Sequence, residues 1–250
     1  MNTERSKNME EKPNMTEIMK HGKRLDGRTF DELRPIEAKA GVLKNANGSA
    51  YFRIGNTIAI AGVFGPRDVH PRHDQEAETA ILRCTYNMAP FSTSERNRPG
   101  PSRRSKEISK VTREALEGVV FLEEYPKTAI DVHIEILQAD ASTRCAGINA
   151  AAIALADAGI PMRDLVSSCS AGKVAGHIIT DIAGKEDTEG EVDLPVAYYP
   201  RKDLLTLIQM DGIVTKDELK KIVELAKSGC KKIYEIQKRA LREKYELVEE

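Results

Sequence analysis

Residues 128–159 read TAIDVHIEILQADASTRCAGINAAAIALADAG and decide the fold class of this 250-residue chain. In the first part, apolar and polar side chains alternate as in a half-buried β-strand, with the apolar positions at Ile130, Val132, Ile134 and Ile136. The last part, CAGINAAAIALADAG, is a run of small and apolar residues that ends at Gly159, as a tightly packed helix does. The stretch therefore predicts a strand that leads into a buried helix.

The sequence on either side extends this order. Residues 41–65 read as a β-meander with turns at NANG (45–48) and IGNT (54–57), and an alternating strand follows near Leu82. A helix is then predicted from apolar residues three and four apart, namely Ile108, Val111, Ala115, Val119 and Leu122. A second set of strands is predicted in 166–211, and a long amphipathic helix follows the capping box TKDE (215–218). Strands followed by helices, given twice, predict an α+β fold.

Composition and charge restrict the class of protein. With 40% hydrophobic residues and a formal net charge of −1, the chain can build a substantial core, and any nucleic-acid site must be a local basic cluster. The four cysteines form no C-x-x-C pair, Met1 is followed by a polar segment, and no apolar run approaches the roughly 18 residues of a membrane helix. We therefore expect an intracellular, cytoplasmic protein with no membrane role.

Arginines occur in three segments that we predict to be loops or helix starts: Arg67 and Arg72, then Arg96 to Arg104, then Arg144. A guanidinium binds phosphate oxygens bidentately, although a single arginine such as Arg67 is more simply a solvated surface charge. Arg103 and Arg104 are adjacent at a predicted helix start, where cations are unfavourable unless an anion lies opposite. Thr143 and Arg144 lie at a second helix start, where free N–H groups, a hydroxyl and a guanidinium would face one anion. These residues predict an anion site.

The segment KEDTEGEVDLP, residues 185–195, carries five carboxylates after a predicted strand. Most acidic segments of this kind are simple turns. Asp187 and Asp193 bracket Gly190, however, and a tight turn there would bring both carboxylates to one Mg²⁺. Carboxylates beside arginines suit phosphoryl transfer. The histidines lack metal-ligand spacing, and the absence of G-x-G-x-x-G, P-loop and serine-elbow motifs leaves dehydrogenase, NTPase and serine-hydrolase functions without support.

Several stretches, in this order, resemble the RNase PH-like phosphorolytic exoribonucleases: RLDGRTFDELRPI, GSAYFRIGNT, PSRRSKEISKVTREALEGVV, TAIDVHIEILQADASTR, ALADAGIPMRDLV and EDTEGEVDLP. The resemblance spans most of residues 22–245. Within the family, HPRH (70–73) and MAPFSTSERNRPGPSRR (88–104) are most similar to the catalytic ring subunit of the archaeal exosome. Before Arg144 the chain reads ADAST, where bacterial RNase PH usually reads ADGGT. The resemblance implies a duplicated β–α core of the ribosomal-protein-S5-domain-2-like type, in one catalytic domain at 22–250. Residues 1–21 are polar without a clear period, and we expect them to form a flexible tail.

The resemblance also implies a function and partners. It implies a 3′-to-5′ exoribonuclease that attacks single-stranded RNA with inorganic phosphate as co-substrate, releases nucleoside diphosphates and runs backwards to add 3′ tails. It implies a hexameric ring of three heterodimers with an inactive paralogue, capped by subunits with S1 or KH domains. Two alternatives stay open: a non-catalytic RNA-threading ring subunit, and a metal-dependent hydrolytic exonuclease.

The same resemblance assigns roles to individual residues. Phosphate would be held by Arg104, Thr143 and Arg144. RNA would be bound by Arg103 at its backbone and by Arg67 and Arg72 at a channel constriction. Asp187 and Asp193 would be the catalytic carboxylates and the ligands of Mg²⁺.

Overall fold

The structure is a computed structural model that describes residues 23–246, so the predicted tail at 1–21 lies outside the described residues. The first half of the chain forms a five-stranded sheet in the order β1-β2-β3-β5-β4. Its strands are β1 (Ile36–Ala40), β2 (Gly48–Ile54), β3 (Thr57–Asp68), β4 (Ile81–Met88) and β5 (Thr128–Gln138). The predicted meander is confirmed, because β1, β2 and β3 pair antiparallel in sequence order.

Helix α1 (Arg103–Glu117) connects β4 to β5, which are parallel and therefore need such a crossover. It begins at a capping box in which Ser102 Oγ accepts from Ser105 N at 3.0 Å and Ser105 Oγ accepts from Ser102 N at 2.7 Å. The prediction that this helix extends to Leu122 was wrong. It ends at Glu117 with Gly118 as its C-cap, and Val119 and Leu122 are buried in the turn that follows.

Helix α2 (Thr143–Asp157) is the central element of the core, and the predicted buried helix is confirmed. Nearly all of its residues are buried, since it packs on β2, β3 and β5 of the first sheet and on strands of the second half as well. The small side chains allow this close approach. At Gly48 in β2, an added Cβ would lie 2.1 Å from the backbone nitrogen of Ala158, so only glycine fits there.

The second half forms an antiparallel sheet from β6 (Ser167–Val174), β7 (His177–Thr180), β8 (Val192–Tyr199), β9 (Leu204–Ile208) and β10 (Asp211–Gly212). β6 lies between β7 and β8, and β9 and β10 pair with successive parts of β8. The acidic segment predicted as a turn forms instead a short helix, α3 (Lys185–Glu189), followed by the start of β8. Asp187 therefore lies on a helix and Asp193 on a strand.

The long helix α4 (Lys216–Glu246) packs on β6, β7 and β8 and reaches back to β1. Its predicted capping box is confirmed, because Thr215 N donates to Glu218 Oε2 at 2.9 Å and Glu218 N donates to Thr215 Oγ1 at 3.3 Å. One continuous apolar cluster joins both sheets, α2 and α4. The repeated strand–helix order gives the predicted duplicated α+β architecture. Within residues 23–246, no helix has the length and apolar character needed to cross a membrane.

Candidate active site

The starts of α1 and α2, helix α3 and strand β8 surround one cavity of about 350 Å³. Four of the predicted site residues come together here from both halves of the chain. The lining is polar and consists of Arg104, Glu107, Arg144, Asp187, Asp193, Pro195, Gln209, Met210 and Asp211. The structure thus brings two predicted arginines and both predicted carboxylates to one cavity.

The first turn of α1 brings a cation to this cavity. Arg103 and Arg104 are both exposed, and neither forms an ion pair with any residue of the described chain, 23–246. Arg104 lines the cavity, whereas Arg103, one residue earlier, lies outside the lining. The two adjacent arginines therefore present their charges to different places, one inside the cavity and one on the surface next to it.

The start of α2 is shaped by two residues with left-handed backbone conformations, Ala141 (φ 58°) and Ser142 (φ 53°). Ser142 is the N-cap, but its hydroxyl donates to the carbonyl of Ile182 at 2.8 Å and does not cap the helix. Because the Ser142 side chain does not cap α2, the first N–H groups of this helix are free for another acceptor. Thr143, the first helical residue, is 5% exposed, and Arg144 follows it at the cavity wall.

Arg144 makes one ion pair inside the cavity. Its Nη2 donates to Glu107 Oε2 at 3.0 Å and to Oε1 at 3.3 Å. The same Oε1 accepts from Gln209 Nε2 at 2.8 Å, which joins α1 to the segment after β9. Arg144 Nε is buried and has no hydrogen-bond partner in the part of the chain that the structure describes. The guanidinium is thus only partly satisfied by protein groups.

The two aspartates lie in an environment that disfavours their charged forms. Burial raises the pKa of Asp187, although the positive charges of Arg104, Arg34 and Arg144 oppose the shift. Burial, with the charges of Asp187 and Asp211, raises the pKa of Asp193 to about 6, against the effect of Arg144 and Arg104. Among the residues described, Asp193 Oδ1 is a buried oxygen without a partner. Both carboxyl groups are therefore available to a proton, a cation or a substrate.

The lining contains two arginines and four carboxylates, which gives a net charge of −2 when all are ionised. An anionic substrate in this cavity needs further positive charge, either as protons on the carboxyl groups or as a bound cation. No set of three or more metal-binding His, Cys, Asp or Glu side chains occurs within residues 23–246. Asp187 and Asp193 form a pair, and a Mg²⁺ ion held by one or two carboxylates completes its shell with water and substrate phosphate.

Behind α3 lies a buried network of charges that sequence reasoning did not find. Arg24 Nε donates to Glu186 Oε1 at 2.8 Å, and Arg24 Nη1 donates to the carbonyl of Thr180 at 2.7 Å. Arg34 Nη2 donates to Asp181 Oδ1 at 2.7 Å, and its Nη1 donates to the carbonyl of Asp140 at 2.6 Å. This network ties α3, and the loop before α2, to the start of the chain.

Glu107, Gln209 and Tyr86 were not predicted as site residues, nor were the lining residues Pro195, Met210 and Asp211. Glu107 lies three residues after Arg104, and this spacing puts both on one face of α1, which was a usable signal. Gln209 comes from an unremarkable segment after β9, and no sequence pattern indicated it. Tyr86 is buried beneath Thr143. Burial raises the pKa of the Tyr86 hydroxyl, whereas the hydroxyl of Thr143 and the charges of Arg104 and Arg144 oppose the shift.

The structure does not bring the predicted RNA-binding residues Arg67 and Arg72 to the cavity. Arg67, at the end of β3, pairs in register with Ala129 at the start of β5, and its Nε donates to Asp131 Oδ2 at 2.7 Å. Thr143 and Arg144 follow the opposite end of β5. At about 3.3 Å per residue, the two ends of this strand lie about 30 Å apart. Arg72 is exposed in a short helical turn near Arg67. Any RNA that touches both places must extend across this distance.

Comparisons with known proteins agree with this geometry. Residues 32–161 match the 3′ exoribonuclease family, domain 1, and residues 164–229 match domain 2 of the same family. A protein of Methanopyrus kandleri named exosome complex component Rrp41 is 57% identical over 222 residues, covering 89% of this chain and 92% of that protein. A protein of the same name from Pyrococcus furiosus is 61% identical over 212 residues, covering 85% of each.

Solved structures show the same fold. Rice Rrp46 superposes with a TM-score of 0.79 at 24% identity, covering 88% of this chain and 100% of that one. A chain of the Archaeoglobus fulgidus exosome with RNA bound to the active site gives a TM-score of 0.77 at 22% identity, covering 92% and 96%. At these identities the structures establish the fold alone. The match of both family domains and the relatives at 57–61% identity show that the chain belongs to the 3′ exoribonuclease family of the RNase PH type.

Proposed function

We propose that this chain is the catalytic subunit of an archaeal-type exosome ring and degrades single-stranded RNA from its 3′ end with inorganic phosphate as nucleophile. The observation that carries the proposal is the convergence of Arg104, Arg144, Asp187 and Asp193 on one cavity at two helix starts. Relatives that are 57–61% identical carry the name of an exosome component. The proposal includes both the assembly into a ring and the phosphorolytic reaction.

Phosphate is expected at the start of α2. Arg144 supplies a guanidinium there, and Arg104 supplies a second cation across the same cavity. The uncapped N–H groups of α2 and the hydroxyl of Thr143 add donors of the kind that phosphate accepts. Arg103 would bind the RNA backbone, and its exposure outside the cavity lining supports this role. These cations offset the repulsion between phosphate and the RNA phosphodiester, both of which are anions.

The reaction replaces one phosphate-ester bond by a phosphoanhydride bond. An oxygen of inorganic phosphate attacks the phosphorus of the terminal nucleotide, and the bond from that phosphorus to the 3′ oxygen of the preceding nucleotide breaks. A nucleoside diphosphate leaves, and the 3′ oxygen takes a proton to become the new 3′-hydroxyl. We assign the gift of that proton to Asp187, and the raised pKa of its carboxyl group supports this role. In excess diphosphate the same steps run backwards and add nucleotides.

Mg²⁺ fits the acidic side of the cavity. Asp187 and Asp193 are oxygen ligands of the kind it prefers, and the buried, unpartnered Asp193 Oδ1 lies in a lining of net negative charge. When bound, the ion would neutralise phosphate charge as it develops. If Asp187 is a metal ligand it cannot also give the proton, and the two roles differ in pH dependence, because a proton donor loses activity as pH rises through its pKa.

We further propose the partners that the family resemblance implies. These are an inactive RNase PH-like paralogue, which alternates with this chain in a ring of three heterodimers, and cap subunits with S1 or KH domains. RNA that enters such a ring would pass Arg67 and Arg72 before its 3′ end reaches the cavity. The separation of these arginines from the cavity along β5 supports contacts at two distant points of one RNA strand. The cytoplasmic location expected from the sequence stays a prediction.

The test is degradation of a 5′-labelled single-stranded RNA by the assembled ring, with and without inorganic phosphate and Mg²⁺. We expect stepwise shortening that requires phosphate and releases nucleoside diphosphates. Asp187→Asn should lower kcat by roughly 10²–10⁴-fold with the ring intact. Release of monophosphates without phosphate would show hydrolysis instead, and full activity of the Asp187→Asn ring would assign this chain to threading.

A further inference from the structure

Glu107 lies inside the cavity although no step of the proposed reaction uses it. Its Oε1 accepts from Arg144 Nη2 at 3.3 Å and from Gln209 Nε2 at 2.8 Å, and its Oε2 accepts from Arg144 Nη2 at 3.0 Å. A carboxylate in contact with the arginine that should bind phosphate is unfavourable for phosphate binding. Its presence there calls for a physical explanation.

The ion pair of Glu107 with Arg144 is incomplete in its geometry. Only one guanidinium nitrogen, Nη2, contacts the carboxylate, while Nε is buried without a partner in the described chain. A tetrahedral phosphate that approaches the same edge of the guanidinium can accept from Nε and Nη2 together. Phosphate would therefore satisfy Arg144 more completely than Glu107 does, at the cost of the bond between Glu107 and Nη2.

Glu107 is also able to leave. Its side chain is 42% exposed, whereas that of Arg144 is 21% exposed, so the carboxylate can turn towards water while the guanidinium stays in the wall. Burial on this scale does not hold an ion pair tightly, because solvent screens it. Gln209, which is only partly buried, is the other polar group that must release the carboxylate.

We propose that Glu107 is an internal competitor for phosphate, a carboxylate that occupies Arg144 between turnovers and is displaced by the incoming phosphate group. This inference rests on the proposed phosphorolytic function. Glu107 would lower the apparent affinity for phosphate, because phosphate binds only when the contact between Glu107 and Arg144 is open. The apparent dissociation constant is the intrinsic one divided by the open fraction. Glu107 thus sets the affinity of the cavity for phosphate and does no chemistry itself.

The same competition acts on product release. The phosphate that attacks the RNA becomes the β-phosphate of the nucleoside diphosphate, so Arg144 holds the product through the group that it held in the substrate. When Glu107 returns to Arg144, it competes with that β-phosphate and favours release. Loss of the carboxylate should therefore tighten the binding of phosphate and of diphosphate together.

The experiment compares wild type, Glu107→Gln and Glu107→Ala in the assembled ring. The readouts are the KM for inorganic phosphate, the inhibition constant for ADP, and the rise in Tm on addition of phosphate. We expect both variants to lower the first two constants by roughly two- to fivefold, the range that a part-exposed ion pair provides, and to increase the rise in Tm. Glu114→Gln is the matched control, because Glu114 lies on the same helix outside the cavity lining, and it should match wild type.

A raised KM for phosphate in Glu107→Gln would overturn the inference, because it would mean that Glu107 orients Arg144 for binding. Unchanged constants in both variants would overturn it as well. The proposed function fails in a different way, by wild-type release of monophosphates without phosphate. The shift in Tm is independent of turnover and reports binding even where a variant is slow.

Discussion

Two groups of arginines and carboxylates meet at α3, and they differ in how completely their charges are paired. In the buried network, Arg24 donates to both carboxylate oxygens of Glu186 and to three backbone carbonyls, and Arg34 contacts both oxygens of Asp181. In the cavity, the guanidinium of Arg144 has one protein partner and leaves Nε unpaired among the described residues. The residue types are the same, whereas their burial and the satisfaction of their polar atoms differ.

This difference separates a structural cluster from a reactive one. A buried charge without a partner costs several kcal/mol, so a network that only stabilises the fold is expected to be fully paired. Polar atoms left unpaired in a concave, partly desolvated site are available to a ligand. The two clusters are also linked, because Glu186 and Asp187 are neighbours in α3, one in the network and the other at the cavity. The complete cluster thus holds the incomplete one in place.

The largest predicted effect comes from breaking the complete cluster. Arg24→Met removes the cation that contacts both oxygens of the buried Glu186, leaving it Arg28 Nη2 at 4.0 Å, and should lower the free energy of unfolding by about 3–5 kcal/mol. Urea unfolding of the isolated chain measures this. Arg103→Met is the matched control, since Arg103 is exposed and forms no ion pair within residues 23–246, and it should change the value by less than about 0.5 kcal/mol. Equal losses in both variants would contradict the distinction.

In the incomplete cluster, removal of a charged group should raise the free energy of unfolding at neutral pH. Asp193 has a pKa of about 6 in the folded chain, against 3.8 for an ordinary aspartate, so the folded state binds its proton more tightly. The stabilisation from this proton is complete below pH 4 and is lost as pH rises through 6. In buffer with EDTA, Asp193→Asn should therefore be more stable than wild type by about 1–2 kcal/mol at pH 7, after allowance for solvent screening, and no more stable at pH 4.

Mg²⁺ sharpens this test. If Asp193 is a ligand, added Mg²⁺ should raise the free energy of unfolding of wild type at pH 7 and not that of Asp193→Asn. If the free energies of unfolding of the two proteins differ by a constant amount from pH 4 to 7, burial does not raise the pKa of Asp193 as inferred. Urea unfolding with and without the ion measures both effects in the same samples.

The sequence predicted well those features that depend on local pattern. The alternation in β5 and the small residues of α2 indicated a strand and a buried helix, because side-chain period and size act within one element. Asp187, Asp193, Arg104 and Arg144 could be predicted as candidates because charge at a helix start or near a glycine is itself a local signal. The extension of α1 to Leu122 was wrong because apolar spacing continues past Gly118, where the helix ends.

The rest depended on contacts between distant parts of the chain. Arg24 and Arg34 read as ordinary charges near the start of the sequence, and only the fold shows that they are buried against β7 and α3. The contact of Gln209 with Glu107 spans 102 positions and follows no periodicity. Arg67 and Arg72 were grouped with the other arginines by residue type, whereas the register of β3 with β5 separates them from the cavity. Tertiary register cannot be read from residue types.

The smallest predicted effect concerns the loop that leads into the cavity. Ala141 has φ 58°, a left-handed conformation that costs about 1 kcal/mol for a residue with a Cβ atom. Bacterial RNase PH usually has glycine here, where the sequence ADGGT aligns with ADAST. Ala141→Gly removes this strain but adds conformational freedom to the unfolded chain, so the net gain in the free energy of unfolding should be about 0.5 kcal/mol.

Ala139→Gly is the matched control for Ala141→Gly, because it makes the same change in the same loop at a residue without a left-handed backbone. It relieves no strain and should lower the free energy of unfolding by roughly 0.5–1 kcal/mol. The two variants should therefore differ in sign in urea unfolding. A loss of stability in both would mean that the backbone at Ala141 is not strained, and any strain at the start of α2 would then lie at Ser142, the other left-handed residue there.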